Sequence, residues 1–242
     1  MTTERGVLEI AGLSVAIERK AIKNLHLGVY PPHGRVRVAA PLAVSDAAVR
    51  LAVIGKLGWI RRQQSRFSAQ PRISPRELIT GESHYVWGRR YRLRVVPDNG
   101  RAKVVVRQQS RLELHIRPAA TTVQKNRVLQ AWYREQLKAR IPALLTRWQP
   151  RLGVDAVAWG VRKMKTRWGT CNVETRRIWL NLELAMKPAQ CLEYIVVHEL
   201  AHLLERTHDD RFVAVMNRHL PQWRHYRQKL NAAPLAHASW TY

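Results

Sequence analysis

Apolar and polar residues alternate along the opening stretch: Leu13, Val15 and Ile17, then Leu25, Leu27 and Val29, then Val36, Val38 and Ala40. A period of two turns one side of a strand toward a core and the other toward water, so residues 7 to 41 are predicted to form short antiparallel strands. Pro31-Pro32-His33-Gly34 supplies the turn between the last two. From Ser45 the period lengthens. Val49, Ala52, Val53, Leu57 and Ile60 follow the three-and-four spacing of one helix face, which predicts a helix from an N-cap at Ser45 to about Phe67 that packs on the sheet.

After a loop with Pro71 and Pro75, the run from Tyr85 to Tyr91 reads as a hairpin turning near Gly88. Further strands are predicted at 91 to 96, 103 to 107 and 111 to 116, with Asn99-Gly100 as a type I′ turn signal. From Thr122 to about Gln149 a stripe of Val128, Leu129, Trp132, Leu137, Ile141, Leu144 and Leu145 predicts a helix, kinked or broken near Pro142. Strands follow at 155 to 160, 161 to 168 and 177 to 181. Pro188 then opens another helix, and two short helices close the chain around Pro221. The expected class is α+β: a β-rich antiparallel region over 1–120, then a second, mainly helical domain over 121–242.

Composition narrows the setting. Forty-two Lys and Arg against 17 Asp and Glu give a formal charge of +25, which attracts polyanions, so nucleic acid enters as a possible partner. The basic residues are spread along the whole chain, which argues against a disordered basic arm. Cys171 and Cys191 form no C-x-x-C pair, no secretory signal opens the chain, and no apolar run approaches the roughly 20 residues that a bilayer-spanning helix needs. The expected location is the cytoplasm, with no membrane association.

The chemistry concentrates in His198-Glu199-Leu200-Ala201-His202, an H-E-x-x-H pattern. Residues four apart lie one above the other on a helix, so both imidazoles reach one ion. The surrounding Leu192, Ile195, Val196, Leu200 and Leu203 bury the segment, and burying a carboxylate and two imidazoles without a partner costs several kcal/mol. A divalent ion, Zn2+ or another metal, offsets that cost.

A third ligand is needed. No glutamate follows Glu205, leaving Asp209, Asp210, His208 and the later histidines, His219 and His225 among them. His208 stands six after His202, the spacing of H-E-x-x-H-x-x-G-x-x-H, although Glu205 takes the place of the glycine. An unbroken helix would point His208 away, so a new helix is expected to start there, capped by Thr207 with Asp210 and carrying His208 in its first turn. Three imidazoles leave one tetrahedral position for water, and Glu199 beside it is placed to act as general base.

Three blocks share a family pattern: Met164-Lys165-Thr166-Arg167-Trp168-Gly169-Thr170-Cys171, Ile178-Trp179-Leu180-Asn181, and Tyr194 to His202. In order and spacing they resemble the YgjP-like metallopeptidase family, related to SprT-type and WLM zincins. The likeness is specific from about 160 to 225 and general before that, and Thr170 replaces a common serine while keeping its hydroxyl. It implies a zincin-like C-terminal domain with His198, His202 and His208 on zinc and Glu199 as general base.

The leading expectation is a zinc metallopeptidase acting on a peptide or protein. The alternative is a nucleoside triphosphate (UTP) pyrophosphatase, a reaction linked to members of that family, and a third class is a DNA-associated, SprT-like protease or basic nucleic-acid-binding protein. If residues 162 to 168 form a strand, Lys163, Lys165 and Arg167 project from one face. With Trp168 they are the candidate substrate residues. A phosphate site needs several of Lys163, Lys165, Arg167 and Arg211 converging near the metal, whereas a protease needs a free strand edge.

Overall fold

The computed structural model describes residues 4–30, 34–69, 77–108, 110–164 and 167–232, which form eleven strands and six α-helices. Two compact units divide at Pro71 and Arg72. The boundary expected near 120 lies inside the second unit, because the strands before it and the helix after it share one core.

The first unit contains β1 (Glu4–Ile10), β2 (Leu13–Lys20), β3 (His26–Tyr30), β4 (Arg35–Pro41), α1 (Asp46–Ile54) and α2 (Leu57–Ala69). Ser45 caps α1, its hydroxyl accepting from the Ala48 N–H at 3.2 Å. The single helix expected from 45 to 67 breaks at Gly55, yet Val49, Val53 and Ile60 still bury against Val15, Ile17, Val36 and Val38. The turn at Pro31-Pro32-His33 lies outside the described residues.

The sheet order is β1-β2-β4-β3, and its central pair, β2 and β4, runs parallel. This corrects the antiparallel expectation. Alternation of apolar residues fixes which face a strand buries and is blind to its direction.

The second unit opens with β5 (Ser83–Val86), β6 (Arg89–Pro97), β7 (Lys103–Arg107) and β8 (Arg111–Ile116) in the order β5-β6-β8-β7, again with a parallel central pair. The two sheets therefore share one topology. Each begins with a tight two-residue hairpin at positive φ, Ala11-Gly12 in one and Trp87-Gly88 in the other. Asn99-Gly100 makes no hairpin: it lies in the link between β6 and β7, which do not pair, with the Gly100 N–H donating to Asp98 Oδ1 at 2.8 Å.

Leu93, Leu112 and Leu114 pack under α3 (Thr122–Leu152), which runs unbroken through Pro142 and Pro150. Thr121 and Gln124 form its capping box, Leu129, Tyr133, Leu137, Ile141, Leu145 and Trp148 bury its inner face, and Gly153 ends it in the left-handed conformation. Next come β9 (Ala158–Arg162), β10 (Gly169–Asn172) and β11 (Arg177–Asn181), ordered β10-β11-β9. A 3-10 turn (Leu182–Met186) leads into α4 (Ala189–Ala201), followed by α5 (Asp210–His219) and α6 (Trp223–Ala232).

Residues 163 and 164 and 167 and 168 are not strand, so Lys163 and Arg167 do not share the strand face expected of them. Lys165 lies outside the described residues.

Candidate metal centre

Helix α4 begins after Pro188 and is buried through Leu192, Val196, Val197 and Leu200. That burial fixes its rotation and turns His198 and Glu199 toward one cleft. His202 is its C-cap residue, after which the chain turns, the Glu205 N–H donating to Ala201 O at 3.0 Å. Asp209, rather than Thr207, caps α5: its Oδ1 accepts from the Phe212 N–H at 3.1 Å, and its Oδ2 accepts from the Thr207 hydroxyl at 2.8 Å. His208 therefore sits just before the new helix, outside its first turn.

His198, His202 and His208 each offer one nitrogen, and the three nitrogens lie within 4.8 Å of one another. The buried Phe212 ring is their common floor, 5.0, 4.8 and 4.8 Å from the three imidazole centroids in that order. His202 Nδ1 lies 3.1 Å from Glu205 O, a bond that requires the ring to donate from Nδ1 and leaves Nε2 as a lone-pair donor to a metal. His198 and His208 approach Nε2 to Nε2 at 3.0 Å, close to the roughly 3.3 Å separating two nitrogens bound tetrahedrally at about 2.0 Å from one zinc. Burial and the neighbouring His202 and His208 push His198 down to about 3, which keeps it neutral. The donor set fits a divalent metal.

Glu199 is 4% exposed, and burial pushes its carboxyl up to about 8, opposed by Arg167. Its Oε1 lies against Gly169, where an added Cβ would overlap it. Any side chain at 169 therefore displaces Glu199. Gly169→Ala is expected to lower turnover by tenfold or more, since a misplacement of about 1 Å in a reacting group can cost about a hundredfold, with metal content unchanged. Steady-state kinetics beside elemental analysis checks this.

The segment before Gly169 hangs on Asn181, a buried amide whose donors and acceptors are all engaged. Its Nδ2 donates to Met164 O at 3.1 Å and Arg167 O at 2.7 Å, while its Oδ1 accepts from the N–H groups of Met164 at 3.4 Å and Glu183 at 3.2 Å. Its own N–H donates to Trp168 O at 2.9 Å. The buried Lys187 lies 5.4 Å from the Trp168 ring, and burial pushes its ammonium down to about 8.

The cleft, about 570 Å³, brings Glu199 and the three histidines together with Arg167, Trp168 and β10, whose outer edge is unpaired among the described residues. Lys163 lines a different cavity, beside His84 and Glu183, and Arg211 does not line the cleft. Tyr194, Arg206 and Arg227 do line it, though nothing in the local pattern marks Arg206 or Arg227. Tyr194 alone was within reach of sequence reasoning, standing four residues before His198 and so one helical turn away.

A three-histidine cluster beside a buried glutamate, on a mixed α/β scaffold, has the donor set of a metal-dependent hydrolase. The family model for the YgjP-like metallopeptidase domain matches residues 23–233, and the chain belongs to that family. No curated protein and no solved structure matches it. No helix among the described residues is long and apolar enough to cross a membrane.

Proposed function

We propose that the protein is a zinc-dependent, zincin-like hydrolase that cleaves peptide bonds, with His198, His202 and His208 as ligands and Glu199 as general base. The observation that carries this reading is the convergence of three imidazole nitrogens beside a buried Glu199, in a cleft that the edge strand β10 also lines. Held by the three histidines, zinc would supply a Lewis acid that acidifies water toward neutrality. Glu199 would take a proton from the attacking water and return it to the leaving group. An extended substrate backbone pairs with the outer edge of Gly169–Asn172 beside Trp168. The free thiols Cys171 and Cys191 fit a reducing cytoplasm.

One observation favours a second substrate class. Arg167, Arg206 and Arg227 line the same cleft; Arg206 and Arg227 have no ion-pair partner among the described residues, and Arg167 acts on the buried Glu199. Guanidinium forks grip phosphate oxygens, so a nucleoside triphosphate such as UTP is the rival substrate.

The test measures bound metal, then assays wild type and Glu199→Gln on casein and on a panel of nucleoside triphosphates. Glu199-dependent proteolysis without nucleotide turnover is expected. Phosphate release without proteolysis selects the second class, and a protein that neither contains nor takes up metal overturns both.

A further inference from the structure

The outer face of the β5–β8 sheet carries a field of cations. Tyr91, Leu93, Leu112 and Leu114 are buried, so the alternate positions face outward: Arg90, Arg92 and Arg94 on β6, Arg111 on β8, and Lys103 and Arg107 on β7, all exposed. The register sets Arg92 directly beside Arg111, and Arg111 directly beside Arg107. Like charges opposite one another destabilise a sheet.

Few anions compensate. Glu113 pairs with Arg107 at 3.1 Å and His115 at 3.2 Å, and Asp98 lies 3.3 Å from His115, its carboxyl held below the usual range by the Gly100 N–H and, less strongly, by Lys103. Arg90, Arg92, Arg94 and Arg111 have no ion-pair partner among the described residues, the Arg92 guanidinium donating to Gly81 O at 2.8 Å. The first unit repeats the strand order but gathers Arg5, Lys20 and Arg37 around the buried Glu18. The excess cation belongs to the second sheet.

We propose that this face binds the phosphate backbone of single-stranded nucleic acid, independently of the metal centre. Alternate residues on a strand repeat at about 6.7 Å, so Arg90, Arg92 and Arg94 form a regular row that suits a periodic polyanion better than an irregular acidic protein surface. Arginine presents a planar fork for phosphate oxygens. Tyr85, half-buried on the same face beside Arg90, offers a ring for base stacking. A lipid surface needs apolar side chains to bury. The strongly exposed apolar residue of this sheet, Val106, belongs to the opposite alternation.

The test is fluorescence anisotropy on the full chain with a labelled oligonucleotide of about 30 nucleotides, titrated at several salt concentrations. One triple variant is R92E/R94E/R111E; the control, R127E/R218E/K229E, makes the same charge change on helices. Affinity is expected to fall at least about tenfold in the sheet variant, with the salt slope shallower by about 2, while the control stays within about threefold of wild type. The milder R92Q/R94Q/R111Q, with its circular dichroism matched to wild type, is expected to lose affinity in the same direction. Equal losses in sheet and control variants would mean diffuse charge and overturn the proposal. So would absent binding at about 50 mM salt, or binding to phosphatidylserine vesicles without binding to the oligonucleotide.

Discussion

Glu199→Gln lowers turnover by about a thousandfold while metal content stays at the wild-type level, because a general base contributes roughly a hundred- to ten-thousandfold and the amide keeps its shape without accepting the proton. The same variant has a signature in the metal-free protein. Burial raises the Glu199 carboxyl to about 8 from an ordinary 4.5, so between those values the folded chain holds a proton that the unfolded chain releases. Wild-type stability therefore falls as pH rises from about 4.5 to about 8, and the glutamine variant escapes that loss.

The variant should melt with the wild type near pH 4.5 and progressively above it toward pH 8, by a margin on the order of a few kcal/mol. His198, held at about 3, penalises folding at low pH in both proteins and drops out of the difference. Thermal melts in chelator across this range check the prediction. A margin that does not grow with pH would mean that the carboxyl is solvated.

His208→Ala weakens metal binding by more than about a hundredfold, since even an outer partner of a ligand is worth ten- to a hundredfold. His208 is exposed, in a turn outside any helix, so its loss should change the stability of the metal-free chain by no more than about 0.5 kcal/mol. Ligation and folding thus separate at this position. Competition against a metal-chelating dye measures the first and chelated thermal melts the second. Added zinc should raise the melting temperature of wild type far more than that of the variant.

The heart of the site was readable because it is local: His198, Glu199 and His202 occupy one turn of one helix, and His208 follows after a short excursion. Its walls were not. Arg206 lies in the turn and Arg227 on a helix some twenty residues further on, and only tertiary packing brings them to the cleft. Gly169 carries no local sign of its role, because its contact with Glu199 depends on β10 lying beside α4. Strand positions in the two four-stranded sheets were legible from alternation, but β10 was not, since the strand expected at 161 to 168 stops at Arg162, and strand partners were not legible either. The β2–β4 and β6–β8 pairs each join strands separated by a third, and periodicity carries no record of that choice.

That insertion bears on how the chain is made. In each four-stranded sheet the fourth strand to be synthesised lies inside, between the second and the third, so two strands wait with unpaired edges until it emerges. An open edge invites pairing with another chain. On the ribosome, the interval between β2 and β4, and again between β6 and β8, is the window in which a neighbouring nascent chain can take the vacant central place.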